Sequence, residues 1–409
     1  MLVSTILPHQ GGVAAKVRWA VAELQALGLE PVLGWYEPWS RNPELSVPLH
    51  QLASGRTPGH QQTTVCLAEK GDQDHRLEAV EGHAIGAWLP ELEFTHYLPG
   101  RHWRKLIASC QVHLAITGNP LCAHRYTARR LPFLAWVGTS WQGDRQERVR
   151  HFSLPRRVLD LGLNSPVLRQ QERRVLQDPR GRILTISHHT ARELKAIGGR
   201  SMAGVLHLPP DPSLFHPANP KRIPWRIGFS GRYSDPRKRI QLLLKALATL
   251  RAQGHPAELH LTGERSGSCI QPLINDLGLR ASVICHPFLE PPQLAALMQS
   301  LDVFVIPSQQ EGLCIAAIEA MACGVPVVST RCGGPEDFVI EAETGRFVEG
   351  DPAAMAAAIT SICSDRDLQQ RLRGGACGWV RREASQQAAQ ATFRSHLIEL
   401  MNATNVAPP

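Results

Sequence analysis

Two glutamates eight residues apart, Glu311 and Glu319, lie in the run QEGLCIAAIEAMACGVPVV, residues 310–328, and two basic residues lie upstream, Arg232 just before the turn SDPRKR and Lys238 within it. Carboxylates accept hydrogen bonds from hydroxyl pairs, and cations stabilise charge developing on phosphate oxygens. Such a set suits a ligand that is polyhydroxylic at one end and phosphorylated in the middle. If SQQEG opens a helix, Glu311 stands at its entrance and Glu319 lies about two turns deeper and about 80° further round. Unsatisfied peptide N–H groups at the start of that helix would form an anion site between the two carboxylates. The eight-residue spacing is common on helices by itself, so the surrounding elements carry the weight.

Those elements read as alternating strand and helix. From the N-terminus come a short strand (LVSTIL), a glycine turn at Gly11 and Gly12, and a helix with Val17, Ala20, Val21, Leu24 and Leu27 on one face. Gly28 stops that helix and PVLGW follows as a second strand, completing a βαβ unit. HLAITG, LPFLAWVG and RILTIS read as further buried strands, and Ser187 is placed to cap the helix after the last. Residues 40–80 are polar and show no clear period. LPPDPSLFHPANPKRIP reads as a proline-rich linker, followed by a second alternation. There, DVFVIP and VPVVST lack in/out alternation, which implies strands covered on both faces. The expected architecture is α/β: two Rossmann-like, doubly wound domains facing a central cleft. The expected bounds are 1–215 for an acceptor-binding domain, 216–385 for a donor-binding domain, and 386–409 for a C-terminal helix and tail packing back on the first.

Composition excludes several classes. At 409 residues, 43% hydrophobic and 20% charged, the chain reads as a two-domain globular protein. No run approaches the ~20 apolar residues of a membrane span, and the N-terminus lacks a secretory pattern, so a cytoplasmic location is expected. The ten cysteines are scattered, with no CxxC pair and no metal-ligand spacing. The net charge of +8 is uneven: residues 101–200 hold 19 Lys/Arg against 6 Asp/Glu. The stretch 101–174, which also holds Trp103, Trp136 and Trp141, is compatible with peripheral contact with an anionic membrane, and equally with solvated helix faces. No nucleic-acid-binding motif accompanies it, so no nucleic-acid partner is expected.

The run around Glu311 and Glu319 resembles the E-x7-E signature of the retaining glycosyltransferases of family 4, with its PS–EG entrance and GxPVV exit. The resemblance extends to TRCGGPED (330–337), Thr344 and Gly345, and back to Phe229, Ser230, Gly231, Arg232 and Lys238 and the linker residues Asp211 and Phe215. It implies the GT-B fold and transfer of a sugar from a nucleotide-sugar donor to a hydroxyl acceptor (glycan, glycolipid or small molecule) with retention of configuration. By the same resemblance Glu311 contacts the donor sugar, and Gly312, Leu313, Cys314 and Ile315 form the turn that meets sugar and diphosphate. Glu319 then holds the ribose, Arg232 and Lys238 neutralise the diphosphate, and Gly11 and Gly12 admit the phosphates to the backbone. Glu311, Lys238 and Arg232 are the expected catalytic set. The donor is a co-substrate, and no cofactor or metal is required.

One position departs from the family pattern. Many relatives carry a histidine after an N-domain strand, contacting the sugar; here PFLAWVGTSW places Gly138 or Thr139 there, with His124 a nearby alternative. Two rival readings remain at this stage. One is an epimerase or phosphorylase on the same fold; the other is a non-catalytic scaffold, which the missing histidine would favour and the retained glutamates and cations oppose.

Overall fold

A computed structural model describes residues 1–5, 11–67, 79–150, 153–218, 225–264 and 268–408, with the side chains of 146–148 and 150 excepted. The chain divides into two compact units, one made of Met1–Leu206 with Gln390–Pro409, the other of His207–Ala389. The dividing point precedes the expected boundary at 215, because the linker's second half is held by the second unit: Phe215 is buried, and the Gln299 side chain donates to the carbonyls of Leu214 and His216.

The first unit contains an eight-stranded sheet. Its strands are β1 (Leu2–Thr5), β2 (Val32–Tyr36), β3 (His60–Val65), β4 (Val80–Ile85), β5 (His113–Thr117), β6 (Phe133–Val137), β7 (Gly181–Thr185) and β8 (Gly204–Val205). The order is β3-β4-β2-β1-β5-β6-β7-β8, and only β3 pairs antiparallel, against β4. β5 and β6 are buried at every position, as strands covered on both faces must be. The polar strand β3 is an exposed edge, which is why its residues carry no apolar signal. The helix Gly11–Ala26 packs its Val17, Ala20, Val21 and Leu24 inward, and the C-terminal helix Gln386–Ala403 joins this unit through Gln390 and Arg394, both bonded to Glu23. Ser187 caps the helix His188–Gly198 by accepting from the Thr190 N–H, and Gly199 closes it at φ +73°.

The second unit holds a six-stranded, wholly parallel sheet: β9 (Arg226–Ser230), β10 (Glu258–Thr262), β11 (Val283–Cys285), β12 (Val303–Ile306), β13 (Val327–Thr330) and β14 (Gly345–Val348). Their order is β11-β10-β9-β12-β13-β14. The central strands β12 and β13 are fully buried, and the helices Ile240–Ala252 and Pro352–Ser364 supply Leu243, Leu247, Met355 and Ile359 to the core around them. In both sheets the chain winds outward in one direction and then in the other. The order reverses between β1 and β5 in the first unit and between β9 and β12 in the second, and such switch points are where open α/β sheets bind ligands beyond their strands' carboxyl ends.

Candidate active site

The second unit's switch point gathers residues from three adjacent strands. After β9 the chain turns at Gly231 (φ +156°) and runs through Arg232 to the short turn Pro236–Lys238. After β12 it reaches Ser308 and Glu311, and after β13 it reaches Cys332 and Gly333. Backbone bonds tie the three together. Gln309 donates to the Arg237 carbonyl at 2.7 Å, Glu311 to the Cys332 carbonyl at 2.7 Å, and Gly334 to the Glu311 carbonyl at 2.9 Å. The Thr330 hydroxyl donates to the Ser308 carbonyl at 2.5 Å.

The Lys238 ammonium lies 2.6 Å from Glu311 Oε1, and the Ser308 hydroxyl donates to the same oxygen at 2.7 Å. Their side chains are 18% and 9% exposed, so the pair is largely withdrawn from water. Burial alone would lower the lysine's pKa; the facing Glu311 carboxylate outweighs it, and the ammonium is held above its usual range. One of its three N–H donors is used on Glu311, and two remain for a ligand.

The site also departs from the expected helix. Glu311 is not on it: Glu311 bridges Gly333 as extended backbone, and the helix spans Ile315–Ala322, entered through Cys314 at φ +72°. Glu319 is therefore half-buried at mid-helix, and the expected two-turn offset on one helical face does not apply. The reason is local: the pairing of Glu311 with Gly333 and Cys332 holds the chain extended, and a left-handed residue must then redirect it. The turn Gly312–Ile315 still precedes a helix N-terminus whose first peptide N–H groups lack intrahelical partners, and no side chain caps it. Burial pushes the half-buried Cys314 thiol far up, so it is not a thiolate at neutral pH.

Arg232 stands apart from the pair, 69% exposed and 3.4 Å from Asp235. Asp235 also binds Arg237 and caps the turn at the Arg237 N–H; burial raises its pKa, but these arginine contacts prevail and hold it below the usual carboxylate range. The structure thus joins Lys238 with Glu311 and leaves Arg232 on the rim. Gly11 and Gly12 open the first unit's helix Gly11–Ala26, exposed, with Gly11 at φ +81°. Residues 6–10, before them, lie outside the described residues. Ser308 and Asp235 were missed as site residues, although Ser308 is the serine of the PS–EG entrance.

The first unit revises two further expectations. Trp103, Trp136 and Trp141 are 2%, 1% and 3% exposed and belong to the interior, not to an interface. Arg125 is buried over the Trp103 ring, and Arg145 is paired with Glu93 and Asp160, so part of the basic excess is spent inside. His124 is also buried, and burial with Arg174 and Arg125 nearby pushes it down to about 4. Among the described residues no helix is long and apolar enough to cross a membrane, and no three His, Cys, Asp or Glu side chains are placed to hold a metal ion.

Residues 215–377 match the sequence model of a family described as Glycosyl transferases group 1. A D-inositol 3-phosphate glycosyltransferase of Corynebacterium urealyticum is 37% identical over 150 residues, covering 34% of this chain and 35% of the relative. One of the same description from Geodermatophilus obscurus is 32% identical over 226 residues, covering 49% and 50%. The chain thus spans about a third to a half of the length of the curated relatives it matches. Among solved structures, sucrose-phosphate synthase from Thermosynechococcus elongatus superposes with a TM-score of 0.73 at 19% identity, covering 98% of this chain and 100% of that one. Anabaena HepE, solved with UDP and glucose, gives 0.67 at 16% identity over 98% and 100%. These likenesses are of fold, and the fold is GT-B.

Proposed function

We propose, from the match of residues 215–377 to the glycosyl transferases group 1 family, that the whole chain is a retaining glycosyltransferase using a nucleotide-sugar donor. The observation that carries the reading is the Lys238–Glu311 pair at the sheet's switch point, beside an uncapped helix N-terminus. A diphosphate is bound there by the two remaining N–H donors of Lys238, by Arg232 at the rim and by the peptide N–H groups of the turn Gly312–Ile315. Glu311 orients the donor sugar, and Glu319 accepts hydrogen bonds from the ribose diol. As the glycosidic bond lengthens, charge gathers on the leaving phosphate oxygen, where Lys238 stabilises it without reorganisation. That oxygen takes the acceptor hydroxyl's proton while the acceptor attacks the same face of the sugar. Glu311 stays non-covalent; a glycosyl adduct trapped on it would sink this mechanism.

In this reading the cations and helix N-terminus replace a divalent ion, so turnover is expected to survive chelation by EDTA. A thermal-shift screen over UDP-, GDP- and ADP-sugars tests the donor, with UDP-sugars first because HepE was solved with UDP. No stabilisation by any of them would remove the proposal, and slow donor hydrolysis without acceptor separates a transferase from a scaffold. We place the anionic-membrane contact at the exposed Leu154 and Val158, flanked by exposed Arg156 and Arg157, in the helix Leu154–Leu159. Co-sedimentation with anionic vesicles at low salt, lost at high salt, is the expected result; no binding at low salt excludes it.

A further inference from the structure

The first unit also carries a lysine near its switch point, on the helix that follows β1. Lys16, in the helix Gly11–Ala26, is 1% exposed, and its ammonium donates to the carbonyls of Thr117 at 2.7 Å and Trp136 at 3.2 Å, at the carboxyl ends of β5 and β6. Among the described residues it has no carboxylate partner, and its third N–H has no acceptor. Burying a cation with no counter-charge is costly, and burial lowers its pKa to about 7. An ammonium so placed gains from any anion that reaches it.

The ammonium also lies 5.3 Å from the centroid of the Trp136 ring, and Gly138 adds no side chain beside it. Gly118 and Gly138 follow β5 and β6, both half-buried, and the N–H groups of Gly138 and Thr139 donate to the Gly118 carbonyl at 2.9 and 2.8 Å. A Cβ on Gly138 would lie 3.6 Å from Lys16 Nζ, and one on Gly118 would meet only Val13, at 3.8 Å. Gly138 is also one of the two positions at which the family histidine would fall. The space a side chain would occupy there opens onto the lysine. The same helix begins at exposed glycines and carries no acidic residue in its own first turn.

We propose that Lys16 is a ligand-binding residue that contacts a phosphate oxygen beside Gly118 and Gly138. This rests on the glycosyltransferase reading, under which the phosphate is the donor's diphosphate or a phosphate carried by the acceptor. Lys16→Met removes the charge and keeps the stem. Gly138→Ala keeps the charge and places a methyl at ordinary contact distance on the approach, 3.4 Å from the Gly118 carbonyl oxygen.

Calorimetric titrations of UDP, GDP, ADP and inorganic phosphate into the full chain test this, with Glu319→Ala as control. Both Lys16→Met and Gly138→Ala are expected to weaken binding about tenfold or more, as loss of a charge-assisted hydrogen bond does, with the Gly138→Ala melting temperature unchanged. Weakened nucleotide binding identifies the donor as the source; weakened inorganic phosphate binding alone identifies an acceptor phosphate. In the wild type, affinity should fall as pH rises from 7 to 9, as the free lysine loses its proton, and Lys16→Met should abolish that slope. Among the described residues, the β5 and β6 groups facing Lys16 are Thr117, Gly118, Trp136 and Gly138, none of which titrates in this range. Nucleotide binding weakened by Glu319→Ala, with both nucleotide and inorganic phosphate binding untouched by the two first-unit substitutions, would overturn the Lys16 site alone. Absence of any binding by the wild type would overturn the glycosyltransferase reading with it.

Discussion

Each unit brings a lysine to the carboxyl ends of its central strands, and the two are treated oppositely. Lys238 meets a carboxylate: Glu311, steadied by Ser308, keeps it charged and held above its usual pKa. Among the described residues Lys16 meets two carbonyls and the Trp136 ring but no carboxylate, and burial lowers it to about 7. The sequences around them differ as well, with the second unit's site written in a contiguous text from 308 to 334 and the first unit's in scattered glycines. The difference teaches that a parallel sheet offers the same address twice, while the partner residue decides what chemistry can be done there. A permanently charged lysine suits a leaving group; a lysine that titrates near neutrality suits a ligand whose arrival restores the charge.

The largest test of that contrast is Lys238→Ala. Removing a donor preorganised toward a leaving oxygen costs about 3–4 kcal/mol in turnover, roughly 10²–10³ in kcat. Lys16→Met should act chiefly on ligand affinity. Steady-state kinetics on both variants would break the comparison if the effects were exchanged. Adding Glu311→Gln to Lys238→Ala should cost less than the sum of the two changes, because the residues act as one pair.

The second test uses pH and stability. Lys238 has a folded-state pKa above the unfolded 10.5, so its contribution is complete below pH 10.5 and is lost only as pH rises through the folded value. Lys16 behaves in reverse. Between about 7 and 10.5 the unfolded chain binds a proton that the folded chain does not, so stability rises with pH across that window. The gain is on the order of 2 kcal/mol from pH 7 to 9. Chemical denaturation at both pH values should show that rise in the wild type and its absence in Lys16→Met. An equal rise in the variant would assign the slope to another group.

Glycines extend the comparison. Gly334 cannot carry a Cβ without meeting the Gly312 backbone, and Gly263 would press on the Gly231 N and O at 2.7 and 2.8 Å. Among the described residues nothing lies within 4 Å of a Cβ placed on Gly11, whose constraint is its positive φ. Gly334→Ala should therefore destabilise by about 1–2 kcal/mol and disturb the turn after Glu311, whereas Gly11→Ala should cost about 1 kcal/mol of local strain. Melting temperatures of the two variants, with donor affinity alongside, would measure this; equal losses in both would show the second unit's turn to be less constrained than its packing implies.

Much of this was legible before any coordinates. β12 and β13 announced themselves by unbroken apolar runs, and the Ser187 cap by its place before a periodic segment. Glu311 was legible as a candidate through its motif but not as extended backbone, because its pairing with Gly333 is a contact between residues far apart in sequence. The strand His60–Val65 was hidden by its exposure at a sheet edge. Lys16 left a signal that periodicity could have caught: it sits four residues before Ala20 and eight before Leu24, a cation on the apolar stripe. Trp136 and Arg125 misled for the converse reason, since residue type suggests a surface role and only packing shows that they lie inside.

The smallest expected effect is that of Arg232. Its guanidinium is 69% exposed and its pairing with Asp235 spans 3.4 Å, a geometry worth at most about 1 kcal/mol in water. Arg232→Ala should leave the fold's stability nearly unchanged, because Arg237 keeps Asp235 satisfied at 2.7 Å. Its functional effect should be in donor affinity more than in turnover, and should shrink as salt is raised, since an exposed cation is screened and Lys238, 18% exposed, is much less so. Donor KM measured at low and high ionic strength for Arg232→Ala and Lys238→Ala separates the two. A salt-independent loss in turnover for Arg232→Ala would mean that the arginine leaves Asp235 and closes on the diphosphate beside Lys238, a catalytic group recruited by the ligand and not part of the site at rest.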